Sequence, residues 1–204
     1  MMLIAQPFLI KYKKLSWHRF LVKISYVLVP LVLITGFILT RNEYYRNLDG
    51  LVQQVAKGSK QYSPAEMLKL VPSAPIALFY IIWFTVFYVL AIRTRRQSPK
   101  HARYMLATAL TLTGPMVDRI IGIHFHIDYV AGVSSFIISF ILIDLVLALL
   151  LYFDYKNEKE TKTLWTCLLI YTVGQLLYYI LPTYHWWSVF MKFIMLPQPA
   201  IGLS

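Results

Sequence analysis

Apolar residues along this chain fall in blocks long enough to cross roughly 30 Å of hydrocarbon, for which a helix needs about 20 residues. The first block covers residues 20–40, with only Lys23 near its start, where a long side chain can snorkel to the surface. The second, 74–92, is rich in aromatics and is closed by Arg93, Arg95 and Arg96. The third, 104–123, contains Pro115 and the adjacent pair Asp118 and Arg119. The fourth, 129–153, is interrupted only by Asp144, and the fifth, 164–181, ends at Pro182. A sixth run, 186–196, is too short to cross and contains Lys192 before Pro197. It reads as a short interfacial or re-entrant segment near the C-terminus. The pattern predicts an all-α, polytopic membrane bundle of five transmembrane helices, forming a single integral membrane domain over residues 1–204.

The basic residues set an orientation, because cytoplasmic loops are enriched in Lys and Arg. With the N-terminus inside, the inner segments carry twelve: Lys11, Lys13, Lys14, Arg19, Arg93, Arg95, Arg96, Lys100, Arg103, Lys156, Lys159 and Lys162. The outer segments carry six: Arg41, Arg46, Lys57, Lys60, Lys69 and Lys192. A cytoplasmic N-terminus and an outer C-terminus follow. No small-residue cleavage site succeeds the first block, which leads instead into Thr40-Arg41-Asn42, so it is expected to remain as a signal anchor. The outer loop, 41–73, is polar at first. Its Ser63-Pro64-Ala65-Glu66 then forms a capping box, followed by Met67, Leu68, Leu70 and Val71, which fits a short helix lying on the membrane or a plain linker.

Composition agrees with the pattern. Of 204 residues, 58% are hydrophobic and 14% charged, with a mean hydropathy of +0.59. A soluble domain carries about 45–50% apolar and roughly a quarter charged residues. The single cysteine, Cys167, excludes a disulfide scaffold, and 16% aromatics exclude disorder. A formal charge of +11 would point to nucleic acid in a soluble protein. Here the excess lines the ends of the spans, so the expected contact is anionic lipid in the bilayer, and no nucleic acid.

Ionisable groups at membrane depth are costly and are therefore the first functional candidates. In the third block, His101, Tyr104, Thr108, Thr111, Pro115 and Arg119 are spaced 3, 4, 3, 4 and 4 apart, which places them on one face of a continuous helix. Arg119 keeps its charge and needs an anion, while Asp118 points about 100° away around such a helix. Arg119 snorkelling outward is the plain reading; an anion, quinone or lipid-headgroup site is the sharper one. Asp144 comes close to mid-bilayer, at a depth similar to that of Gln175 on the fifth block. An Asp–Gln bond between helices would satisfy both, and a proton- or cation-carrying carboxylate is the alternative.

The histidines form two sets. His124, His126 and Asp128 alternate, so an extended turn would aim all three to one side as metal ligands, with His185 as a fourth. Ordinary interfacial histidines beside Trp186 and Trp187 are the plainer reading. His18 with His101 could bind haem b, although neither lies a turn or two inside the hydrocarbon. The sequence holds no P-loop, no Gly-x-Ser-x-Gly, no His-Glu-x-x-His and no Gly-x-Gly-x-x-Gly, so no catalytic residue is assigned.

The run His101-Ala102-Arg103-Tyr104-Met105 followed by Arg119 resembles a motif of a bacterial family of uncharacterised multi-span membrane proteins. In that motif a histidine precedes an aromatic-Met pair by three residues and an arginine by eighteen. The resemblance covers about 20 of the 204 residues and implies a polytopic bacterial inner-membrane protein without implying an activity. The family's basic residue just after the Met is unmatched, since Leu106, Ala107 and Thr108 follow here. Membrane b-type cytochromes are a more distant analogy, lacking the second deep histidine.

These residues support three functional expectations. The first is a transporter or accessory subunit binding a small molecule or ion, with Arg119 holding an anionic group, Thr108 and Thr111 lining a path, and Asp144 titrating. The second is a haem- or quinone-binding redox subunit. The third is an assembly partner for another membrane protein, or for a second copy of the chain, with Tyr184, Trp186 and Trp187 as an aromatic surface.

Overall fold

The structure, a computed structural model, describes residues 12, 15–57, 76–120, 129–130 and 133–195. These are almost wholly helical: α1 (Leu15–Ala56), α2 (Ile76–Arg93), α3 (Ser98–Leu110), α4 (Thr113–Asp118), α5 (Ser135–Lys156), α6 (Lys162–Ile180) and α7 (His185–Met195), with a 3-10 turn at Leu181–Thr183. Two short strands, β1 (Tyr129–Val130) and β2 (Val133–Ser134), pair antiparallel. Among the described residues, four helical stretches are long and apolar enough to cross a membrane: Arg19–Arg46, Ile76–Arg93, Ile137–Lys156 and Lys162–Thr183. Many of their apolar side chains face outward, as hydrocarbon-facing residues do; Val27 is 73% exposed and Leu169 63%.

Three expected boundaries change. The first helix does not stop at 40 but continues to Ala56, so residues 41–56 of the expected outer loop are helical. Nothing in that stretch breaks a helix more strongly than Gly50. Even Pro30, which frees the Tyr26 carbonyl, is absorbed within α1. The fourth helix begins at Ser135 rather than 129, because Val130, Gly132 and Val133 are poor helix formers and the flanking pairs enter the β1–β2 ladder.

The third block departs most. It is two helices, α3 and α4, separated by a turn at Thr111 and Leu112. Pro115 is the cause: it has no N–H to donate to the Thr111 carbonyl, and its ring crowds that oxygen. The backbone tightens instead, with the Leu112 N–H donating to the Ala109 carbonyl three residues back at 3.1 Å. The Thr111 hydroxyl turns back onto the Thr108 carbonyl. The proposed capping box and surface helix at 63–71 lie outside the described residues.

The described residues form two compact units. The first is drawn from Met1–Leu33 and Tyr80–Gln175, the second from Ile34–Phe79 and Leu176–Ser204. The first unit is centred on aromatics. Trp83 of α2 meets Phe140 of α5 with ring centroids 5.8 Å apart and Tyr171 of α6 at 5.3 Å. Phe87 stacks obliquely on Tyr171 at 4.8 Å. Tyr171, fully buried, donates its hydroxyl to the Ala107 carbonyl at 2.7 Å, which fastens α6 to α3. Two glycines allow the close approach. A Cβ on Gly174 would overlap the Trp83 indole, and one on Gly114 would overlap the Tyr80 ring. In the second unit, Trp187, Met191 and Met195 form the buried stripe of α7, four residues apart. The Arg41 Nε donates to the Met195 carbonyl at 2.9 Å, a cation on the last carbonyl of that helix.

Candidate functional site

The connection between α2 and α3 is short and held by backbone hydrogen bonds. Thr94 N–H donates to the Leu90 carbonyl at 3.0 Å, Gln97 N–H to the Thr94 carbonyl at 2.8 Å, and His101 N–H to the Gln97 carbonyl at 3.0 Å. Pro99 sits in the first turn of α3, where its missing N–H costs nothing. This tight reversal brings the His101 ring back onto α2, with Nδ1 2.7 Å from the Ala91 carbonyl oxygen. A carbonyl only accepts, so Nδ1 carries the hydrogen and Nε2 is left for another partner.

Beside His101 lies a cavity of about 590 Å³ within the first unit. Its walls come from α1 (Arg19, Val22, Lys23, Ser25, Tyr26), α2 (Tyr88, Ile92), the α2–α3 turn (Arg95) and α3 (Ser98, His101, Met105). Three cations line it and, among the described residues, no carboxylate does. Hydroxyls complete the polar wall. Ser25 Oγ and Tyr88 Oη are 3.2 Å apart, and Arg95 Nη1 reaches Tyr26 Oη at 3.5 Å. Such a cavity favours an anion: three positive charges line one space with no acidic partner in its described lining.

The neighbouring Arg103 is held differently. Its Nε and Nη2 donate to Asp154 Oδ2 at 3.0 and 2.7 Å, and its Nη1 to Glu160 Oε2 at 3.3 Å. Glu160 in turn accepts the Thr163 N–H and hydroxyl, each at 2.9 Å, capping α6. The α5–α6 turn aims both acids at Arg103. Glu158 takes up a left-handed backbone (φ 54°), and Lys159 N–H closes back on the Asp154 carbonyl at 2.9 Å. Arg103 is thus neutralised and structural, a role that its bare count among the inner charges does not reveal. The signal available in sequence was a pair of acids six residues apart across a helix-breaking turn.

The structure separates the other expected residues. Tyr104, Thr108 and Thr111 are buried in the seam between helices, not along an open path. The Thr108 hydroxyl donates to the Tyr104 carbonyl at 2.9 Å, and that of Thr111 to Thr108. The single face from His101 to Arg119 is interrupted at Thr111–Leu112, and Arg119 is exposed just beyond α4. The side chain of Asp118 lies outside the described residues. Gln175 Nε2 donates to Asp144 Oδ1 at 3.2 Å, so these two are brought together as the interhelical pair. His124, His126 and Asp128 lie outside the described residues, as does the side chain of His18. His185 opens α7, and no group of metal-binding side chains occurs among the described residues.

No family model matches the chain, and comparison with curated proteins and with solved structures found no match.

Sequence reasoning missed the cavity rather than its residues. Arg19, Lys23 and Arg95 are visible as charges, and His101 as a polar residue at a helix end. Only the α2–α3 reversal, and the packing of α1 beside it, place them around one space.

Proposed function

We propose that this chain is a bacterial inner-membrane protein that binds a small anionic molecule, of transporter or accessory-subunit type. The observation that carries this reading is the cavity lined by Arg19, Lys23, Arg95 and His101 without a carboxylate among the described residues. A five-span topology belongs to the same proposal: the four long apolar helices would supply four crossings, and α3 with α4, together covering 98–118, would supply the third in chain order. With the N-terminus cytoplasmic, the excess of inner basic residues puts the cavity at the level of the cytoplasmic headgroups. Arg19, Lys23 and Arg95 hold the negative group there, and the Tyr26 hydroxyl, which accepts from Arg95, keeps its own hydrogen for the ligand.

Thermal unfolding of the detergent-purified protein against a panel of anionic and neutral small molecules tests the proposal. At least one anion should raise the midpoint, and Lys23→Gln with Arg95→Gln should remove the shift. Indifference to every anion would overturn it.

A redox reading draws on one observation. A histidine whose Nδ1–H is held by a backbone carbonyl presents Nε2 as the imidazoles of metal and haem sites do. An absorption spectrum, air-oxidised and then dithionite-reduced, decides that reading: a band that shifts on reduction and vanishes in His101→Ala supports haem, and a flat visible spectrum removes it.

A further inference from the structure

The cavity has a second character that a water-soluble anion would leave unused. Besides its cations, the apolar side chains of Val22, Ile92 and Met105 line it. Lys23, moreover, borders two spaces at once. Beyond it, on the same helix, runs an apolar groove of about 450 Å³ lined by Lys23, Ile24, Val27, Leu28 and Leu31. From Lys23 to Leu31 is about 12 Å of helix rise, directed from the charged start of α1 into its apolar stretch. All of these residues belong to the first unit. A ligand satisfying both spaces has a phosphate at one end and a hydrocarbon chain at the other.

We infer that the cavity is a specific site for one anionic phospholipid, its phosphate held by Arg19, Lys23 and Arg95 and an acyl chain laid along the Ile24–Leu31 face of α1. This rests on the reading of the cavity as an anion site and names the ligand class. The guanidinium of Arg95 offers a planar fork suited to two phosphate oxygens, and Lys23 supplies a point charge where headgroup meets chain. A phosphodiester carries a charge that a zwitterionic headgroup cancels with its own ammonium, so selectivity against phosphatidylcholine follows from the absence of an acid in the described lining. General attraction of basic loops to an anionic surface would spread over all exposed cations. A built site depends on those lining the cavity and not on Lys156, which is exposed and outside it.

The test uses the full chain in detergent micelles, with bound lipid counted by native mass spectrometry and stability followed by thermal unfolding. Three probes are compared: dioleoyl phosphatidylglycerol, dioleoyl phosphatidylcholine and the deacylated headgroup glycerophosphoglycerol. The expected result is saturable binding of one phosphatidylglycerol, at least tenfold tighter than phosphatidylcholine. Binding should weaken at least tenfold in Lys23→Gln/Arg95→Gln and stay unchanged in Lys156→Gln. The deacylated headgroup should stabilise far less at equal concentration. Equal stabilisation by the deacylated headgroup would overturn the lipid assignment while leaving the anion site standing. Unsaturable phosphatidylglycerol binding that falls equally in Lys156→Gln would also overturn it, as general surface attraction. Failure of both phosphate probes, with a positive response to some other anion, sinks the lipid site alone; failure of every anion sinks both readings.

Discussion

The Nδ1 of His101 stands 2.7 Å from the carbonyl oxygen of Ala91, ten residues earlier on the preceding helix. That contact fixes the tautomer of the ring, locks α3 against α2 and leaves Nε2 as the one ring atom free to serve a ligand. Structure and binding are thereby assigned to different atoms of one side chain, which makes them separable by mutation.

An asparagine amide places an N–H close to where His Nδ1 stands and nothing where Nε2 stands. His101→Asn should keep the bond to Ala91, change stability by less than about 0.5 kcal/mol, and weaken binding of a ligand whose hydroxyl donates to the Nε2 lone pair about fivefold, the worth of one neutral hydrogen bond. His101→Leu should lose about 1 kcal/mol of stability besides. Equal binding loss with equal destabilisation in both variants would show that the ring acts only as packing. Thermal unfolding and ligand titration on the same samples separate the outcomes.

Arg103 is only 13% exposed and is paired to Asp154 at 2.7 Å. Arg103→Ala should cost about 1.5–3 kcal/mol by stranding that carboxylate. Arg103→Lys keeps the charge but loses the fork across Asp154 and Glu160, and should fall between. The double variant Arg103→Met/Asp154→Leu should cost less than the sum of its singles, measured as a double-mutant cycle.

Gly174 and Gly114 face the rings of Trp83 and Tyr80 with no room for a methyl group. Each should lose about 1–3 kcal/mol on substitution by alanine. Gly50, in the interior of α1 with nothing within 4 Å of an added Cβ, should instead gain up to about 1 kcal/mol from the same change. Unfolding midpoints of the three single variants would show opposite signs; a uniform response would contradict the packing.

Asp144 accepts from Gln175 at 3.2 Å. Asp144→Asn retains an oxygen for that bond and should be nearly neutral, whereas Asp144→Leu strands the amide and should cost about 0.5–1.5 kcal/mol. Neither should change anion binding at the His101 cavity. Loss of binding in Asp144→Asn would instead support the intramembrane carboxylate as part of the functional site.

Much of the helical plan was legible in the chain. The second and fifth apolar runs, 74–92 and 164–181, correspond to Ile76–Arg93 and Lys162–Ile180 within two residues at each end. The Asp144–Gln175 bond was expected from depth alone. The third run misled because spacing at helical intervals assumes an unbroken helix, and Pro115 breaks it at Thr111 and Leu112. Its hydroxyls at Thr108 and Thr111 look like the lining of a path, yet short hydroxyl side chains in a packed seam turn back to their own carbonyls.

What the sequence determined by itself is the set of long apolar helices and the basic ends that flank them. Both follow from local quantities: the transfer free energy of consecutive side chains, summed over about 20 residues, and the charges immediately beside them. What only the tertiary structure decided is the fate of each charge. Arg103 and Arg95 are eight residues apart and indistinguishable by composition. One finds Asp154 and Glu160 across the α5–α6 turn, and the other joins Arg19 and Lys23 around a cavity with no acid in its described lining. Neutralisation depends on partners 51 or more residues away in the chain, which no local pattern encodes.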